Sequence, residues 1–352
     1  MAVPILLFIL GFLLLIKGGD WFVDGASGLA RRFHLPEILI GATIVSIGTT
    51  LPEIMVSATS AFEGHGQIAY GNAIGSIICN TTLIAAVTIA IKPGKTDRRS
   101  LIVPLSFFFV AEIFYMVIAY TQKTFKRWAG ISFLLIFVAY TVVSILTVRK
   151  TSEGSETEIP EPDEEITEEN EKSKKRIKFK NENGFFAKVY YFVKRDSLFM
   201  ELILLVIGAA FIAVGARLLV DNGTIIAEKM GVPETVIALT FVALGTSLPE
   251  LVTAISSLIK GHSNLSLGNI IGANLFNIVL VCGVAITVNP FDIPQTTMLF
   301  NMPSSLVLDL PLSLAVMVIL AVPALIKGKL YRAQGIALLA IYAGFCALQF
   351  IM

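Results

Sequence analysis

Residues 46–53 read SIGTTLPE and residues 243–250 read ALGTSLPE, and each copy lies within an otherwise apolar run. Glycine and proline both weaken a helix, because proline donates no backbone hydrogen bond and its ring disturbs the carbonyl four residues earlier. The first copy therefore predicts a helix that breaks or bends just before Glu53, and the second copy repeats the pattern up to Glu250. In lipid, freed backbone carbonyls are tolerated only where they line a polar cavity. Each copy is thus predicted to line such a cavity with hydroxyls, carbonyls and one carboxylate.

The two copies belong to a longer internal repeat. A shift of 197 residues places Asp24 on Asp221 and continues without a gap to Asn80 on Asn277. Across those 57 positions there are 20 identities, which is far more than two unrelated apolar segments would share. The sequence therefore predicts a duplicated structural unit.

The composition is typical of a membrane protein with several spans. Hydrophobic residues make up 55% of the 352-residue chain and charged residues 15%, with a mean hydropathy of +0.79. A spanning helix needs about 20 mostly apolar residues, and ten such segments can be found. They cover about 2–30, 36–62, 67–91, 101–120, 128–149, 197–226, 233–259, 265–289, 304–326 and 332–351. The first follows no basic start, so it is predicted to be an uncleaved helix rather than a signal peptide.

Five spans per half force the second half to insert upside down. The predicted fold is therefore an all-α integral membrane protein of ten transmembrane helices, arranged as two inverted five-helix repeats with a central cytoplasmic loop. The predicted domains are 1–150 with its motif at 41–80, the loop 151–195, and 196–352 with its motif at 238–277.

The central loop and the charges at the helix ends set the predicted orientation. Residues 153–171 contain ten acidic residues, and the basic stretch 172–180 could contact anionic lipid headgroups. With this loop in the cytoplasm, ten Lys and Arg residues near the helix ends lie inside and four outside. We therefore expect both termini outside a plasma membrane. The net charge of +1 suggests no nucleic-acid partner.

The spans that follow each motif add carboxamides and hydroxyls. Asn72, Ser76 and Asn80 are spaced by four and share one helix face, and the matching positions of the second half are Asn269, Ala273 and Asn277. Hard cations such as Ca²⁺ and Na⁺ prefer oxygen ligands. One Ca²⁺, or two or three Na⁺, would cancel the charge of two glutamates, whereas an empty site would be costly in the membrane. This pattern predicts an obligate cation exchanger.

The motifs GTTLPE with GNAIGSIICN, and GTSLPE with GNIIGANLFN, resemble the two alpha repeats of the sodium/calcium exchanger family, within the calcium/cation antiporter superfamily. The chain looks like a prokaryotic-type member. The resemblance implies a core of spans 2, 3, 7 and 8, and helices 1 and 6 that slide across it. It implies Ca²⁺ and Na⁺ as transported ions. The implied ligands are the carboxylates of Glu53 and Glu250, backbone oxygens of Thr49, Thr246, Ser46 and Ala243, the hydroxyls of Thr50, Ser247 and Ser76, and the amides Asn80 and Asn277.

Two departures from the family pattern bear on the driving ion. The family often has a serine where this chain has Ala273, so one sodium site could be weakened. Potassium-dependent relatives carry Asp where this chain has Asn277, which disfavours potassium dependence. The proton-driven branch shows an acid in an extended GNA motif, and no acid lies between Asn72 and Asn80.

These observations predict a Na⁺/Ca²⁺ antiporter that extrudes Ca²⁺ by alternating access and uses no organic cofactor. A Ca²⁺/H⁺ antiporter with the same two glutamates is the alternative. A cation channel is less favoured, because channels usually build selectivity from rings of subunits. An intramembrane enzyme would need a nucleophile or a zinc-type ligand set, and no His or Cys pairs with the glutamates in the sequence pattern.

Overall fold

The fold was taken from a computed structural model, which describes residues 2–33, 35–154, 198–230, 245–295, 298–299 and 301–351. The helices are α1 Ala2–Arg32, α2 Glu37–Phe62, α3 Gly66–Ile91, α4 Arg98–Gln122, α5 Arg127–Gly154, α6 Leu198–Lys229, α7 Leu248–Ile259, α8 Ser263–Val288, α9 Ser305–Lys327 and α10 Arg332–Ile351. Short antiparallel pairs join β1 Thr124–Phe125 to β2 Phe291–Asp292, and β3 Met298–Leu299 to β4 Met302–Pro303. The predicted loop 151–195, with its basic stretch 172–180, lies almost wholly outside the described residues.

Eight of the helices in these described ranges are long and apolar enough to cross a membrane. They are α1 to α6, α8 and α9. Large apolar side chains point outward from them, and Leu6, Leu135 and Ile326 are each 64–65% exposed. Such an apolar surface is stable in lipid and not in water. The chain is therefore a nearly all-helical, multi-pass membrane protein.

Helices α1 and α6 pack antiparallel at very short range. A Cβ atom at Gly11 would lie 2.8 Å from the carbonyl oxygen of Gly215, and a Cβ atom at Gly18 would lie 2.9 Å from that of Gly208. Glycines allow membrane helices to approach closely enough for backbone packing. The 197-residue shift maps Gly11 onto Gly208 and Gly18 onto Gly215. The internal repeat therefore maps the contact of Gly11 with Gly215 onto the contact of Gly208 with Gly18.

Helices α2 and α8 form a second close pair, which brings the two halves together at the motifs. A Cβ atom at Gly41 would lie 2.4 Å from the carbonyl oxygen of Leu265, and one at Gly268 would lie 2.3 Å from that of Ile38. Any larger residue would push the helices apart. The glycines therefore place the first motif, on α2, against the asparagine face of α8.

Several helices contain a π-helical turn. These turns cover Gly41–Val45 in α2, Asn80–Ala85 in α3, Asn277–Cys282 in α8 and Ser305–Asp309 at the start of α9. The repeat-related residues Asn80 and Asn277 each begin one of them. Single π-helical turns inside α-helices are frequently found at functional sites.

The predicted break before Glu53 is not present in the first copy. Helix α2 continues through Pro52, and its irregular turn lies earlier, where Tyr140 donates to the carbonyl of Ala42 at 2.6 Å. In the second copy the irregularity does fall within the motif. Thr246 and Ser247 form a turn, and α7 begins at Leu248.

Candidate cation site

Glu53 on α2 and Glu250 on α7 are both fully buried. Each side chain is 0% exposed, and none of the four carboxylate oxygens has a hydrogen-bond partner among the described residues. The two carboxylates are near enough to repel each other electrostatically. A buried carboxylate without a partner is strongly unfavourable. This geometry therefore leaves two negative charges for a cation or protons to neutralise.

Hydroxyl groups of one half lie beside the carboxylate of the other half. The side chains of Thr49 and Thr50 lie beside the carboxylate of Glu250, so the contact crosses between the repeats. The π-helical turn of α3 contacts α7, and that of α8 contacts α2. The buried polar groups on these elements that make no hydrogen bond with any described residue include the hydroxyls of Thr50 and Ser247 and the carboxamides of Asn80 and Asn277. Buried polar groups are normally satisfied in proteins, so this group of free oxygens indicates a ligand site.

Two repeat-related asparagines hold the first motif in place. Asn269 accepts hydrogen bonds from the Ser46 hydroxyl, at 2.9 Å on its backbone oxygen, and from the Thr49 hydroxyl, at 3.2 Å on its side-chain oxygen. Asn72 donates to the backbone oxygen of Glu53 at 3.2 Å and to the Ser57 hydroxyl at 2.9 Å. The asparagine face predicted from the sequence thus contacts the motif directly.

The remaining predicted ligands differ in their burial and hydrogen bonding, and one of them is not described by the structure. The backbone oxygen of Ser46 accepts a long, 3.4 Å hydrogen bond from Thr49, and Ser76 is 4% exposed on α3, one turn before Asn80. Thr246 lies half-buried in the turn before α7. Ala243 lies outside the described residues. The structure places Thr49 and Thr50 beside Glu250 and packs the helical turns that begin at Asn80 and Asn277 against α7 and α2, and the ligand roles of all these residues remain predictions.

Sequence reasoning overlooked two polar side chains near this region. Thr253 is fully buried with a free hydroxyl, and it lies three residues after Glu250, on the same face of α7. Asn274 donates to the Thr81 hydroxyl at 2.8 Å, while its own side-chain oxygen has no partner. The helical spacing from Glu250 could have identified Thr253. Asn274 lies next to Ala273 and carried no such signal.

No protein cation neutralises the two glutamates in the part of the chain that the structure describes. The ion pairs found there join Arg32 to Glu201, Arg217 to Asp221, Lys260 to Asp20 and Asp24, and His262 to Glu37. Those described residues also contain no group of three or more His, Cys, Asp and Glu side chains that could hold a metal. A cation here would therefore be held by the glutamates and neutral oxygens, which suits Ca²⁺ and Na⁺ better than zinc.

A bundle of membrane helices around a buried carboxylate pair, with unpaired polar groups on the same helices, is typical of a transporter of cations. Sequence comparison identifies the family. The sodium/calcium exchanger protein family matches residues 3–146 and 200–351. The chain belongs to this family, whose members are cation antiporters.

Individual relatives cover almost the whole chain. A membrane protein of Methanocaldococcus jannaschii is 32% identical over 95% of this chain and 94% of its own length. The sodium/calcium exchanger MaX1 of Methanosarcina acetivorans is 28% identical over 99% of both chains. A solved structure of the sodium-calcium exchanger NCX_Mj, soaked with Na⁺ and Sr²⁺, has a TM-score of 0.74 and 29% identity, with 98% of each chain covered.

Proposed function

We propose that this protein exchanges Na⁺ for Ca²⁺ across the plasma membrane by alternating access, and that it extrudes Ca²⁺. The observation that carries the proposal is the fully buried pair of Glu53 and Glu250, which no cationic side chain neutralises among the residues that the structure describes. Sodium is favoured as the counter-ion because neutral hydroxyl and carboxamide oxygens on α2, α3 and α8 and in the turn before α7 are buried without a hydrogen-bond partner among the described residues. The names of MaX1 and NCX_Mj, both sodium/calcium exchangers, support the same choice.

The charge of the site explains why the two ions would exchange rather than leak. The empty site carries two buried negative charges, and moving it through the membrane in that form is unfavourable. One Ca²⁺ cancels both charges, and several Na⁺ do the same. The ion site can therefore switch from one side of the membrane to the other only when one kind of ion has replaced the other.

The proposed architecture is ten transmembrane helices in two inverted repeats, 1–150 and 196–352, with 151–195 between them. It is supported by the contacts of Gly11 with Gly215 and of Gly18 with Gly208, which the internal repeat maps onto each other. Helices α2, α3, α7 and α8 would form the core that holds the ions. We expect the glycine-packed pair α1 and α6 to slide across this core, with both chain termini outside.

The specific ligand roles follow the repeat. Glu53 and Glu250 are proposed to bind Ca²⁺ with backbone oxygens of Thr49 and Thr246. The proposed sodium ligands are the hydroxyls of Thr50, Ser247 and Ser76 and the carbonyls of Ser46 and Ala243, with the amides Asn80 and Asn277 beside them. Most of these side-chain oxygens are buried and unpaired.

The second candidate is a Ca²⁺/H⁺ antiporter that uses the same glutamates. Protons can neutralise a buried carboxylate pair as well as Na⁺ can, and the two side chains lie within electrostatic range of each other. Under this alternative the free oxygens of Asn80 and Asn277 would have no role in binding the counter-ion.

Proteoliposomes that contain the purified protein distinguish the two candidates. Vesicles are loaded with Na⁺, Li⁺, K⁺ or buffer of low pH, and uptake of ⁴⁵Ca²⁺ from the outside is followed. We expect rapid uptake only into Na⁺-loaded vesicles. Uptake that follows the pH gradient and ignores Na⁺ would identify the proton-coupled exchanger instead.

A further inference from the structure

Glu112 is a buried carboxylate on α4, outside the candidate cation site. Its side chain is 0% exposed, and the ion pairs among the described residues do not include it. An ionised carboxylate within a membrane is costly unless a positive charge pairs with it. Something other than a described cationic side chain therefore has to neutralise Glu112.

The hydrogen bonds at Glu112 show how many protons the contact needs. Its Oε1 atom forms a hydrogen bond with the hydroxyl of Ser313 on α9, and the same hydroxyl lies 2.8 Å from the carbonyl oxygen of Leu310. A serine hydroxyl has one hydrogen and a carbonyl oxygen has none, so Ser313 can donate fully to only one of these two oxygens. Both contacts are satisfied at once if Ser313 donates to Leu310 and a protonated Glu112 donates to Ser313.

The second carboxylate oxygen of Glu112 also favours a neutral acid. This Oε2 atom has no hydrogen-bond partner among the described residues. An ionised carboxylate spreads its charge over both oxygens and is stabilised by several donors. In the protonated form Oε2 is a neutral carbonyl oxygen, and an unpaired neutral oxygen costs much less than an unpaired charged one.

The described titratable groups that face Glu112 are neutral or acidic. They are the phenols of Tyr70 on α3 and Tyr115 on α4 and the thiol of Cys282 on α8, and Asp309 at the start of α9 faces Tyr70 in turn. None of these groups can supply a positive charge. Phenols and thiols are also poor ligands for hard metal ions, which need several carboxylate, carbonyl or water oxygens. A proton is therefore the cation that fits this site best.

We propose that Glu112 binds a proton and, as a neutral acid, donates a hydrogen bond to Ser313. We name this pair the Glu112–Ser313 proton site. The proton removes the buried charge and also links α4 to α9 inside the membrane. The site is separate from Glu53 and Glu250, so it does not depend on which ions those two glutamates exchange.

The bound proton determines how the stability of the protein should change with pH. In the unfolded chain Glu112 is exposed to water, where a glutamate is ionised at neutral pH. The folded chain then holds one proton more than the unfolded chain. The folding equilibrium constant should therefore fall as pH rises above neutrality, by up to about tenfold per pH unit for one proton.

Helix α9 connects the proton site to the helices that carry the candidate ion ligands. Met317 lies one turn after the serine of the proton site, and its sulfur accepts from the Thr81 hydroxyl at 3.3 Å and from the Asn274 side chain at 3.2 Å. Thr81 follows Asn80, and Asn274 lies one turn before Asn277. Loss of the proton would weaken the link between α4 and α9, and we expect it to slow ion exchange through these contacts.

Infrared spectroscopy of the purified full-length chain detects the proton directly. A protonated carboxylic acid has a carbonyl stretching band that an ionised carboxylate lacks, and this band shifts when H₂O is replaced by D₂O. We expect such a band at neutral pH in the difference spectrum between the unaltered chain and Glu112→Gln, and its loss at high pH. Glu63→Gln, which removes an exposed glutamate, is the matched control and should give no band.

Chemical unfolding separates the neutral acid from the ionised one. Glu112→Gln has the shape of the neutral acid, and its amide can donate to Ser313. The folding equilibrium constant of this variant should change by less than about threefold at neutral pH and decline less steeply at alkaline pH. Ser313→Ala removes the acceptor and should lower the constant about fivefold, while the infrared band remains at a shifted frequency. This second variant keeps the test valid if Glu112→Gln folds poorly.

Calcium uptake gives a third measurement, and only this one rests on the proposed function. Uptake of ⁴⁵Ca²⁺ into Na⁺-loaded vesicles should decline at alkaline pH in the unaltered chain and decline less in Glu112→Gln. Absence of uptake in the unaltered chain would count against the proposed function alone, because the infrared and unfolding measurements need no transport.

Two results would overturn the proton site. Absence of the carbonyl band at neutral pH would mean that Glu112 is ionised. An equal loss of stability with rising pH in the unaltered chain and in Glu112→Gln would mean that other groups release the proton.

Discussion

The two copies of the motif share their sequence but not their local structure. In the first copy, Ser46 and Thr49 lie in a continuous helix, and their hydroxyls are bonded to Asn269. In the second copy, Thr246 and Ser247 lie in a turn, α7 begins after them, and the Ser247 hydroxyl has no partner. The carboxylates at the ends of the two motifs are nevertheless equally buried.

This difference shows that a symmetric sequence can build an asymmetric site. The first copy is held by hydrogen bonds from the opposite repeat, so its oxygens are fixed before an ion arrives. The repeat mates Thr50 and Ser247 both carry unpaired hydroxyls, but Thr50 lies within a helix, whereas Ser247 lies at a helix start, where the backbone is less constrained. We infer that the first copy positions the ion and that the second copy adjusts to it. The predictions below test this difference, from the largest expected effect to the smallest.

The shared property of the two copies is the carboxylate, so its removal should have the largest effect. Glu53→Gln or Glu250→Gln should each lower Ca²⁺ flux by about 100-fold, since losing one charge from a buried charged site costs about 3 kcal/mol. Flux is measured as ⁴⁵Ca²⁺ uptake into Na⁺-loaded vesicles. Glu63→Gln, at an exposed helix end, is the matched control. Near-normal flux in either site variant would remove that glutamate from the mechanism.

The next largest effect is expected from substitutions of the asparagines that bond to the first copy. Asn269→Ala removes the side-chain acceptor of the buried Thr49 hydroxyl and keeps the backbone acceptor of Ser46, so it should destabilise the protein by about 1–3 kcal/mol. Asn72→Ala affects a partly buried group and should cost about 1 kcal/mol. Thermal unfolding in detergent gives both values. A larger effect from Asn72 than from Asn269 would contradict the view that the opposite repeat holds the first copy.

The pair Ser76 and Ala273 is the clearest difference between the halves in the sequence. Ser76→Ala should raise the Na⁺ concentration for half-maximal exchange about three- to tenfold, as one neutral ligand is lost. Ala273→Ser should lower it, because the second half gains the hydroxyl that the first half already has. The Na⁺ dependence of ⁴⁵Ca²⁺ uptake measures both changes. If the two variants shift it in the same direction, these positions do not act as equivalent ligands.

The prolines should give the smallest effect and a direct test of the helix geometry. Pro52 lies inside α2, where it leaves a backbone carbonyl without its donor, so Pro52→Ala should stabilise the fold by about 1 kcal/mol. Pro249 lies in the first turn of α7, where proline is well tolerated. Pro249→Ala should therefore change stability by less than about 0.5 kcal/mol. Equal shifts of the unfolding midpoint would mean that the two helices do not differ as described.

The sequence predicts the helices well because the membrane imposes a simple rule. A span needs enough apolar residues to cross the lipid, so the predicted segments 67–91 and 304–326 agree closely with Gly66–Ile91 and Ser305–Lys327. The π-helical turns could not be predicted. They arise from contacts between distant helices, such as the hydrogen bond from Tyr140 to Ala42, and no local pattern encodes them.

The candidate site, like the fold, could be predicted only in part from the sequence. The repeated motif was enough to select Glu53 and Glu250, because charge is expensive in lipid and seldom occurs there without a role. The motif was not enough to show that Asn269 would bind Ser46 and Thr49. That contact depends on how closely α2 and α8 approach at Gly41 and Gly268. It also predicted that the helix breaks or bends just before Glu53, whereas α2 continues without a break through Pro52, because a helix held by its neighbours can accept one missing hydrogen bond.

Competition between ions for the purified protein tests the central claim most directly. The claim is that Glu53 and Glu250 hold either one Ca²⁺ or several Na⁺ in the same place. Equilibrium ⁴⁵Ca²⁺ binding is measured as Na⁺ replaces choline at constant pH and ionic strength. We predict that Na⁺ displaces Ca²⁺ with a Hill coefficient above one, and that the Glu53→Gln and Glu250→Gln variants bind no Ca²⁺. Binding that ignores Na⁺, or that persists in both variants, would contradict the account.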